Sequence, residues 1–149
     1  MMEKIKQLRE ITGAGIMDAK RALEEANGDM KKAQEIIAEK GLAKAEKKSD
    51  RSTAAGRVYS YIHATGKVGA MVEIACETDF VADNVDFVTL CKEVAMQIAS
   101  MNPTSVEELL AMDYIRDGSK KIDDLVKALI AKTGENMKIV RFARFELGS

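Results

Sequence analysis

Apolar side chains recur every three or four positions over the first forty residues, which is the spacing of amphipathic α-helices. This spacing predicts three short helices, separated by Thr12-Gly13-Ala14-Gly15 and Asn27-Gly28 and closed by Lys40-Gly41, because glycine ends helices by adopting positive φ. We expect a compact module over residues 1–41 and, over residues 42–56, a linker or a solvated helix extension whose basic side chains could instead meet an acidic surface. The predicted inward-facing side chains are Ile5, Leu8, Ile11, Met17, Ala22, Leu23, Ala26, Ala33, Ile36 and Ile37.

Beyond residue 56 the apolar positions recur every second residue, which is typical of β-strands. Alternation over residues 57–64 and 68–76, joined by Thr65-Gly66-Lys67, predicts an antiparallel hairpin. Residues 137–147 predict a third strand, which we expect to pair with one of the first two. The predicted fold class is therefore α+β: the three-helix module plus a core domain, residues 57–149, with a small three-stranded antiparallel sheet covered by helices on one face.

Three further helices are predicted between the second and third strands. The first starts near Asn84 and stops before Pro103, a residue that cannot continue a helix. In the second, Thr104 and Glu107 have the spacing of a capping box. The third is expected to start at Ser119 and to end at a glycine.

Bulk composition limits the class of protein. The 149 residues are 46% hydrophobic and 32% charged, and their net charge of −1 argues against a direct nucleic-acid partner. No apolar run approaches the ~20 residues of a membrane span, and Glu3, Lys4 and Lys6 interrupt any signal-peptide core. We therefore expect a cytoplasmic protein without a membrane partner. Its cysteines, Cys76 and Cys91, are expected to be reduced, although the sequence leaves open whether one of them crosslinks a dimer.

The sequence contains no arrangement typical of an active site. Residues 12–15 lack the Gly-Lys-Ser/Thr ending of a phosphate loop. The single histidine, His63, is expected to face solvent and cannot build a zinc site with two distant cysteines. Asp123-Asp124 lie in a helical first turn, where carboxylates favour the helix dipole. We therefore predict that the protein is not an enzyme, binds no metal and needs no cofactor.

The segment Glu77-Thr78-Asp79-Phe80-Val81 lies at a corner between a predicted buried strand and a helix, where a rigid scaffold can hold side chains toward a partner. Phe80 has two interpretations. It is either a core aromatic under the following helix, with Asp79 as a cap, or an exposed ring that inserts into a partner. An acid beside a ring suits a wedge better than a catalyst, but the residues alone do not separate these interpretations.

Three segments resemble those of a known family, translation elongation factor Ts. Its N-terminal motif is closely similar to residues 8–23, LREITGAGIMDAKRAL, and its second motif to residues 73–82, EIACETDFVA. Its C-terminal segment is similar to Lys132-Thr133-Gly134-Glu135-Asn136 followed by Arg141-Phe142. The resemblance spans nearly the whole chain, in the right order, and suggests a short form with a single core module.

The resemblance implies a guanine-nucleotide exchange factor that promotes GDP release from elongation factor Tu during protein biosynthesis. The N-terminal unit would be ubiquitin-associated-like (UBA-like) and dock on the GTPase, while Phe80 would enter an apolar pocket and Asp79 would disturb the Mg²⁺ and phosphate-loop site. Short members of the family are expected to act as homodimers. The residues that the resemblance assigns to partner binding are Thr78, Asp79, Phe80, Val81, Lys6, Arg9, Ile16, Met17 and Lys20.

Two positions depart from the family pattern. Ala75 stands where a polar or β-branched residue is usual, and Asp83 stands where a basic or polar residue is usual, so Asp83 adds a negative charge near Asp79. The rival hypothesis is a non-catalytic binding module, either a UBA-type adaptor or a ribosome-associated factor. That hypothesis accounts for the first forty residues and leaves the Asp79-Phe80 pair without a role.

Overall fold

The computed structural model describes all 149 residues, as a group of three helices and a mixed α+β body. The helices are α1 (Met2–Thr12), α2 (Ile16–Glu25) and α3 (Met30–Lys47). The body consists of β1 (Ala55–Ile62), β2 (Val68–Cys76), α4 (Asp79–Ala82), α5 (Val85–Met101), α6 (Val106–Ala111), β3 (Asp113–Tyr114), β4 (Asp117–Lys121), α7 (Ile122–Thr133) and β5 (Met137–Glu146). The predicted α+β fold class is confirmed. No helix has both the length and the apolar character that crossing a membrane requires.

The main sheet has the order β1-β2-β5, with both pairs antiparallel, so the last strand pairs with the second as one of the two predicted alternatives. The inner face of the sheet buries Ala70, Val72, Ile74 and Cys76 on β2, and helix α5 packs across it. These four positions alternate along the strand, which is why the sequence pattern located it. The opposite face of the sheet has no helix on it.

The N-terminal helices form a small core of their own, made by Ile5, Leu8, Ala19, Ala22, Leu23, Ala26 and Ala33. Two side chains predicted to face inward do not belong to it, because Ile11 is 61% exposed and Met17 is 56% exposed. Gly13, with φ of 73°, turns the chain directly after α1, and Ile11 then lies in the last turn, at a groove between α1 and the α5–α7 pair. The apolar spacing identified α1, but it wrongly extended the buried face of α1 into its last turn, to Ile11.

Helix α3 does not end at Gly41 as predicted, because it continues to Lys47. A Cβ atom at Gly41 would lie only 3.1 Å from the Cβ of Ala131, so this glycine lets α3 approach α7 closely. Ala33 is buried in the small core and Ala45 in the large one. One continuous helix therefore contributes to both cores, and residues 42–47 are a helix extension that is only partly solvated.

Two helix starts lie further along the chain than predicted. Ser105, not Thr104, caps α6 by accepting a hydrogen bond from the Glu108 amide at 3.0 Å. Ser119 does not start a helix but lies in β4, which pairs with β3 in a second, two-stranded sheet. The Asp117 carboxylate accepts hydrogen bonds from the Ser119 amide and hydroxyl, and this local alternative to helix geometry delays α7 to residue 122.

Candidate functional site: the corner between β2 and α4

The ring of Phe80 is 92% exposed, more than any other large apolar side chain in the protein. The interpretation of Phe80 as a core aromatic is therefore wrong. Phe87, seven residues further along and itself in α5, is the fully buried phenylalanine of the large core. Exposing a phenylalanine ring to water is unfavourable by ~1.5–3 kcal/mol relative to burying it, so a fold that holds one outward has a ring available for a partner.

A carboxylate that is distant in sequence binds the amino-terminal side of this corner. Glu135, just beyond α7, accepts hydrogen bonds through Oε1 from the amides of Glu77 (3.1 Å) and Thr78 (2.9 Å). Its Oε2 accepts a third hydrogen bond from the Thr78 hydroxyl at 2.6 Å. Hydrogen bonds to an ionised acceptor are the stronger kind, so three of them fix the backbone where α4 begins.

A reciprocal set of contacts ties the same corner to the segment that follows α3. The Glu77 carboxylate accepts a hydrogen bond from the Asn136 amide and pairs with Arg51 at 2.8 Å. The Asn136 side chain is buried and donates to the carbonyls of Ser49 (3.3 Å) and Arg51 (2.7 Å). The corner therefore joins three distant segments: the end of β2, the start of β5 and the chain leaving the N-terminal helices.

Arg57 on β1 holds the other end of α4. Its Nε donates to the carbonyl of Ala82 at 3.3 Å, and its Nη2 lies 3.1 Å from the carboxylate of Asp83. A cation at a helix C-terminus complements the unpaired carbonyls there. The extra negative charge that Asp83 brings is thus paired with Arg57, while the Asp79 carboxylate is exposed and has no ion-pair partner within the chain.

The four predicted site residues of this segment lie together on one helical turn, but they differ in exposure. Thr78 is the N-cap of α4, and its hydroxyl also accepts a long hydrogen bond, 3.4 Å, from the Val81 amide. Asp79 and Phe80 point into solvent, whereas Val81 is half-buried against the large core. The outward-facing chemistry of the corner is therefore an unpaired carboxylate beside a bare aromatic ring.

The other predicted site residues form a second exposed surface, at the turn between α1 and α2. Ile16 and Met17 are exposed apolar side chains at the start of α2. They are accompanied by three exposed basic side chains, Lys6, Arg9 and Lys20. An apolar centre with a charged rim is the usual composition of a protein-binding surface.

These two surfaces belong to different parts of the fold. Helix α4 packs on β1, β2 and α5, whereas α1 and α2 pack on each other and on α3. Two features connect the N-terminal helices with the α+β body. Helix α3 packs along α7, and the side chain of Lys132 lies against Gly13 and pairs with Asp86 at 2.8 Å.

Comparison with known proteins identifies the family. The family model described as "Elongation factor TS" matches residues 77–149, and the Elongation factor Ts of Leptospira biflexa serovar Patoc is 42% identical over an alignment that covers 98% of this chain and 96% of the relative. The chain belongs to the elongation factor Ts family. The Elongation factor Ts of Thermotoga maritima is 40% identical, with 99% of this chain and 96% of the relative covered.

Lengths within the elongation factor Ts family vary. The alignment with the Leptospira relative spans 191 positions and covers 98% of these 149 residues, so roughly 45 of its positions have no counterpart in this chain. The Elongation factor Ts of Clostridium kluyveri is 53% identical over 142 residues, which are 95% of this chain but only 46% of that relative. This chain thus spans nearly the whole length of the Leptospira relative and about half the length of the Clostridium kluyveri relative.

Sequence reasoning missed the residues that hold the corner in place. In the sequence, Glu135 and Asn136 belong to a family-like segment and Arg57 starts a predicted strand, and neither pattern marks these residues as contacts of the corner. A Gly-Glu-Asn run directly after a helix contains polar side chains at a turn, which was the available signal. Nothing in the local pattern connects it with residues 77 and 78, more than fifty positions away.

The surroundings of both cysteines disfavour the thiolate form. Cys76 and Cys91 are both free and buried. Burial raises the pKa of the Cys91 thiol to about 12, and burial also raises the pKa of Cys76, which lies near Glu135. Thiols with raised pKa values are poor nucleophiles at neutral pH. No three His, Cys, Asp or Glu side chains come close enough together to hold a metal ion.

Proposed function

We propose that this protein is a guanine-nucleotide exchange factor that accelerates GDP release from elongation factor Tu. The observation that carries the proposal is the exposure of Phe80 on a short helix whose two ends are held by Glu135 and Arg57. Membership of the elongation factor Ts family supplies the partner. In this proposal the protein acts in the cytoplasm as a binding partner of the GTPase and not as an enzyme.

The proposed mechanism is insertion of the Asp79-Phe80 pair beside the nucleotide site. Much of a GTPase's affinity for GDP comes from Mg²⁺ and from oriented phosphate-loop amides. A ring that enters an apolar pocket next to that site gains the free energy of leaving water, and the Asp79 carboxylate adds negative charge near the metal and the phosphates. Both effects favour the nucleotide-free arrangement of the partner.

Linkage gives the size of the effect that is needed. An exchange factor that weakens GDP binding is itself weakened by GDP to the same degree. A thousandfold weakening requires about 4 kcal/mol of differential binding. Burying one phenylalanine ring supplies ~1.5–3 kcal/mol, and the displaced metal and phosphate interactions supply the remainder.

The second exposed surface serves as the docking site in this proposal. Ile16 and Met17 would pack on an apolar patch of the GTPase, and Lys6, Arg9 and Lys20 would face acidic side chains around it. Apolar side chains at the centre of such an interface contribute most of the affinity, while charges at the rim mainly affect association rate and orientation.

We also propose that the protein acts as a homodimer, through the uncovered face of its main sheet. That face presents Val58, Ile62, Met71 and Phe145, all more than half exposed. Its charged side chains, Glu73 and Arg141, already pair across the strands at 2.9 Å, so two copies could meet there without burying an unpaired charge. Two sheets packed face to face by a twofold axis would cover both patches.

The test of the exchange function is stopped-flow release of fluorescent GDP from elongation factor Tu, with excess unlabelled nucleotide. We expect the release rate to rise with the concentration of this protein and then to saturate. Binding to elongation factor Tu with no change in release rate would refute the exchange function and favour the non-catalytic adaptor. Phe80→Ala is the informative variant, and Phe87→Ala controls for damage to the fold.

A further inference from the structure

We propose that Glu135 is a positioning residue for the Asp79-Phe80 pair, because its three hydrogen bonds set the direction in which Phe80 leaves the protein surface. The inference rests on the proposed exchange function and names a residue through which that function is controlled. Glu135 is separated from the corner by 57 residues of chain, yet it binds the two backbone amides that precede Asp79. It would act through Phe80 without touching the GTPase.

The corner needs such a residue because α4 has only four residues. An isolated helical turn is unstable in water, since nucleation fixes several backbone angles for a single hydrogen bond. The Phe80 ring cannot anchor the turn, because it is 92% exposed. The direction of the ring therefore depends on the contacts that hold the turn. Arg57 and the buried Ala82 fix its end, and Glu135 supplies three of the contacts at its start.

The backbone position of Glu135 is itself fixed by contacts of Glu135 and its two neighbours in sequence. Gly134 ends α7 in the left-handed conformation, with φ of 78°, and the Glu135 amide donates to the Thr133 hydroxyl at 3.3 Å. The neighbouring Asn136 is buried, and its side chain donates to the carbonyls of Ser49 and Arg51. Displacement of the Glu135 backbone would have to disturb these contacts as well.

The alternative is that Glu135 only stabilises the fold. A matched control is Asp124, whose carboxylate accepts a hydrogen bond from the Lys121 amide at 2.9 Å, at the opposite end of α7. Asp124→Ala also removes a carboxylate that binds backbone, but away from Phe80. Comparing Asp124→Ala with Glu135→Ala thus separates loss of a backbone-binding carboxylate in general from loss of the one that holds the corner.

The experiment measures the maximal rate of GDP release from elongation factor Tu and the affinity for its nucleotide-free form, with thermal melts of every variant. We expect Glu135→Ala to lower the maximal rate on the order of tenfold, since charged hydrogen bonds are worth more than neutral ones and each tenfold is about 1.4 kcal/mol. Glu135→Gln, which keeps an acceptor oxygen for the amides, should recover part of the rate. Asp124→Ala should leave the rate unchanged.

A double-mutant cycle on the affinity tests whether Glu135 acts through Phe80. If it does, Glu135→Ala weakens binding in the wild-type background but changes little in the Phe80→Ala background. Equal losses in both backgrounds would overturn the positioning role. A maximal rate that is unchanged in Glu135→Ala would overturn it too, while leaving the exchange function intact.

A readout without the GTPase completes the test. Amide hydrogen exchange, followed by NMR, should be at least about tenfold faster at Thr78 in Glu135→Ala than in the wild type, because the amide loses its acceptor. Unchanged exchange at Thr78 would contradict the inference. If the wild-type protein itself fails to accelerate GDP release, the exchange function fails, and the positioning role falls with it whatever the NMR result.

Discussion

Replacing Phe80 with alanine should abolish most exchange activity without affecting the stability of the fold. The ring is 92% exposed, so its truncation removes almost no buried apolar area. Surface changes of this kind shift the free energy of unfolding by less than ~0.5 kcal/mol. Phe87→Ala is the matched control, because Phe87 is fully buried, and truncating a buried phenylalanine costs about 3–5 kcal/mol.

The expected loss of activity follows from the same exposed ring. If the ring becomes buried in the complex, alanine forfeits about 2–3 kcal/mol of binding free energy, which corresponds to a roughly 30- to 150-fold lower affinity for nucleotide-free elongation factor Tu. Docking through Ile16 and Met17 would remain. The variant should therefore still associate, but it should accelerate GDP release far less at any concentration.

The assay pairs a circular dichroism melt with stopped-flow release of fluorescent GDP for the wild type and both variants. We expect the melting temperature of Phe80→Ala to stay within about 2 °C of the wild type, and that of Phe87→Ala to fall by about 6 °C or more. A Phe80→Ala protein that is clearly destabilised would show that the ring supports the fold, and one that accelerates release as well as the wild type would show that the ring plays no part in exchange.

Three further predictions concern the rest of the fold. Gly56→Ala should lower the free energy of unfolding by more than about 2 kcal/mol, because a Cβ atom there would lie 2.3 Å from the carbonyl oxygen of Ile74 and the backbone φ is 144°. A urea titration measures this, and an unchanged midpoint would contradict it. Burial and a hydrogen bond to Glu93 raise the pKa of Tyr114 from 10 to about 12. The stabilisation by the protonated Tyr114 hydroxyl is therefore complete below pH 10 and is lost between pH 10 and 12. The melting temperature of Tyr114→Phe should fall less than that of the wild type over this range. Phe145→Ser should shift sedimentation from dimer to monomer, and a wild type that is already monomeric would exclude the sheet-face dimer.

The regular parts of the fold were predictable because their patterns are local. Alternation located β2 to the residue and placed β1 two residues too late, and Asn84 and Pro103 bracketed α5 as expected. These elements carry buried side chains at a fixed period, and the period depends only on the backbone geometry of a helix or strand. The partner of the last strand was also restricted correctly, since a small sheet offers few edges.

The errors arose where tertiary contacts override local preference. Gly41 normally ends a helix, but contact with α7 keeps α3 continuous through it. The residues of β4 are all exposed and show no apolar alternation, so no periodic signal marked the second sheet. The family resemblance favoured an exposed Phe80, yet the residue that holds its corner, Glu135, could be found only in three dimensions, because side chains 57 positions apart leave no local trace.

The most direct test of the central claim is the affinity of elongation factor Tu for GDP, measured by calorimetry at increasing concentrations of this protein. We expect GDP affinity to fall as the protein binds, by a factor on the order of a thousand at saturation, which is about 4 kcal/mol of coupling. GDP affinity that stays constant while the protein is bound would contradict the claim that it acts by weakening the nucleotide site.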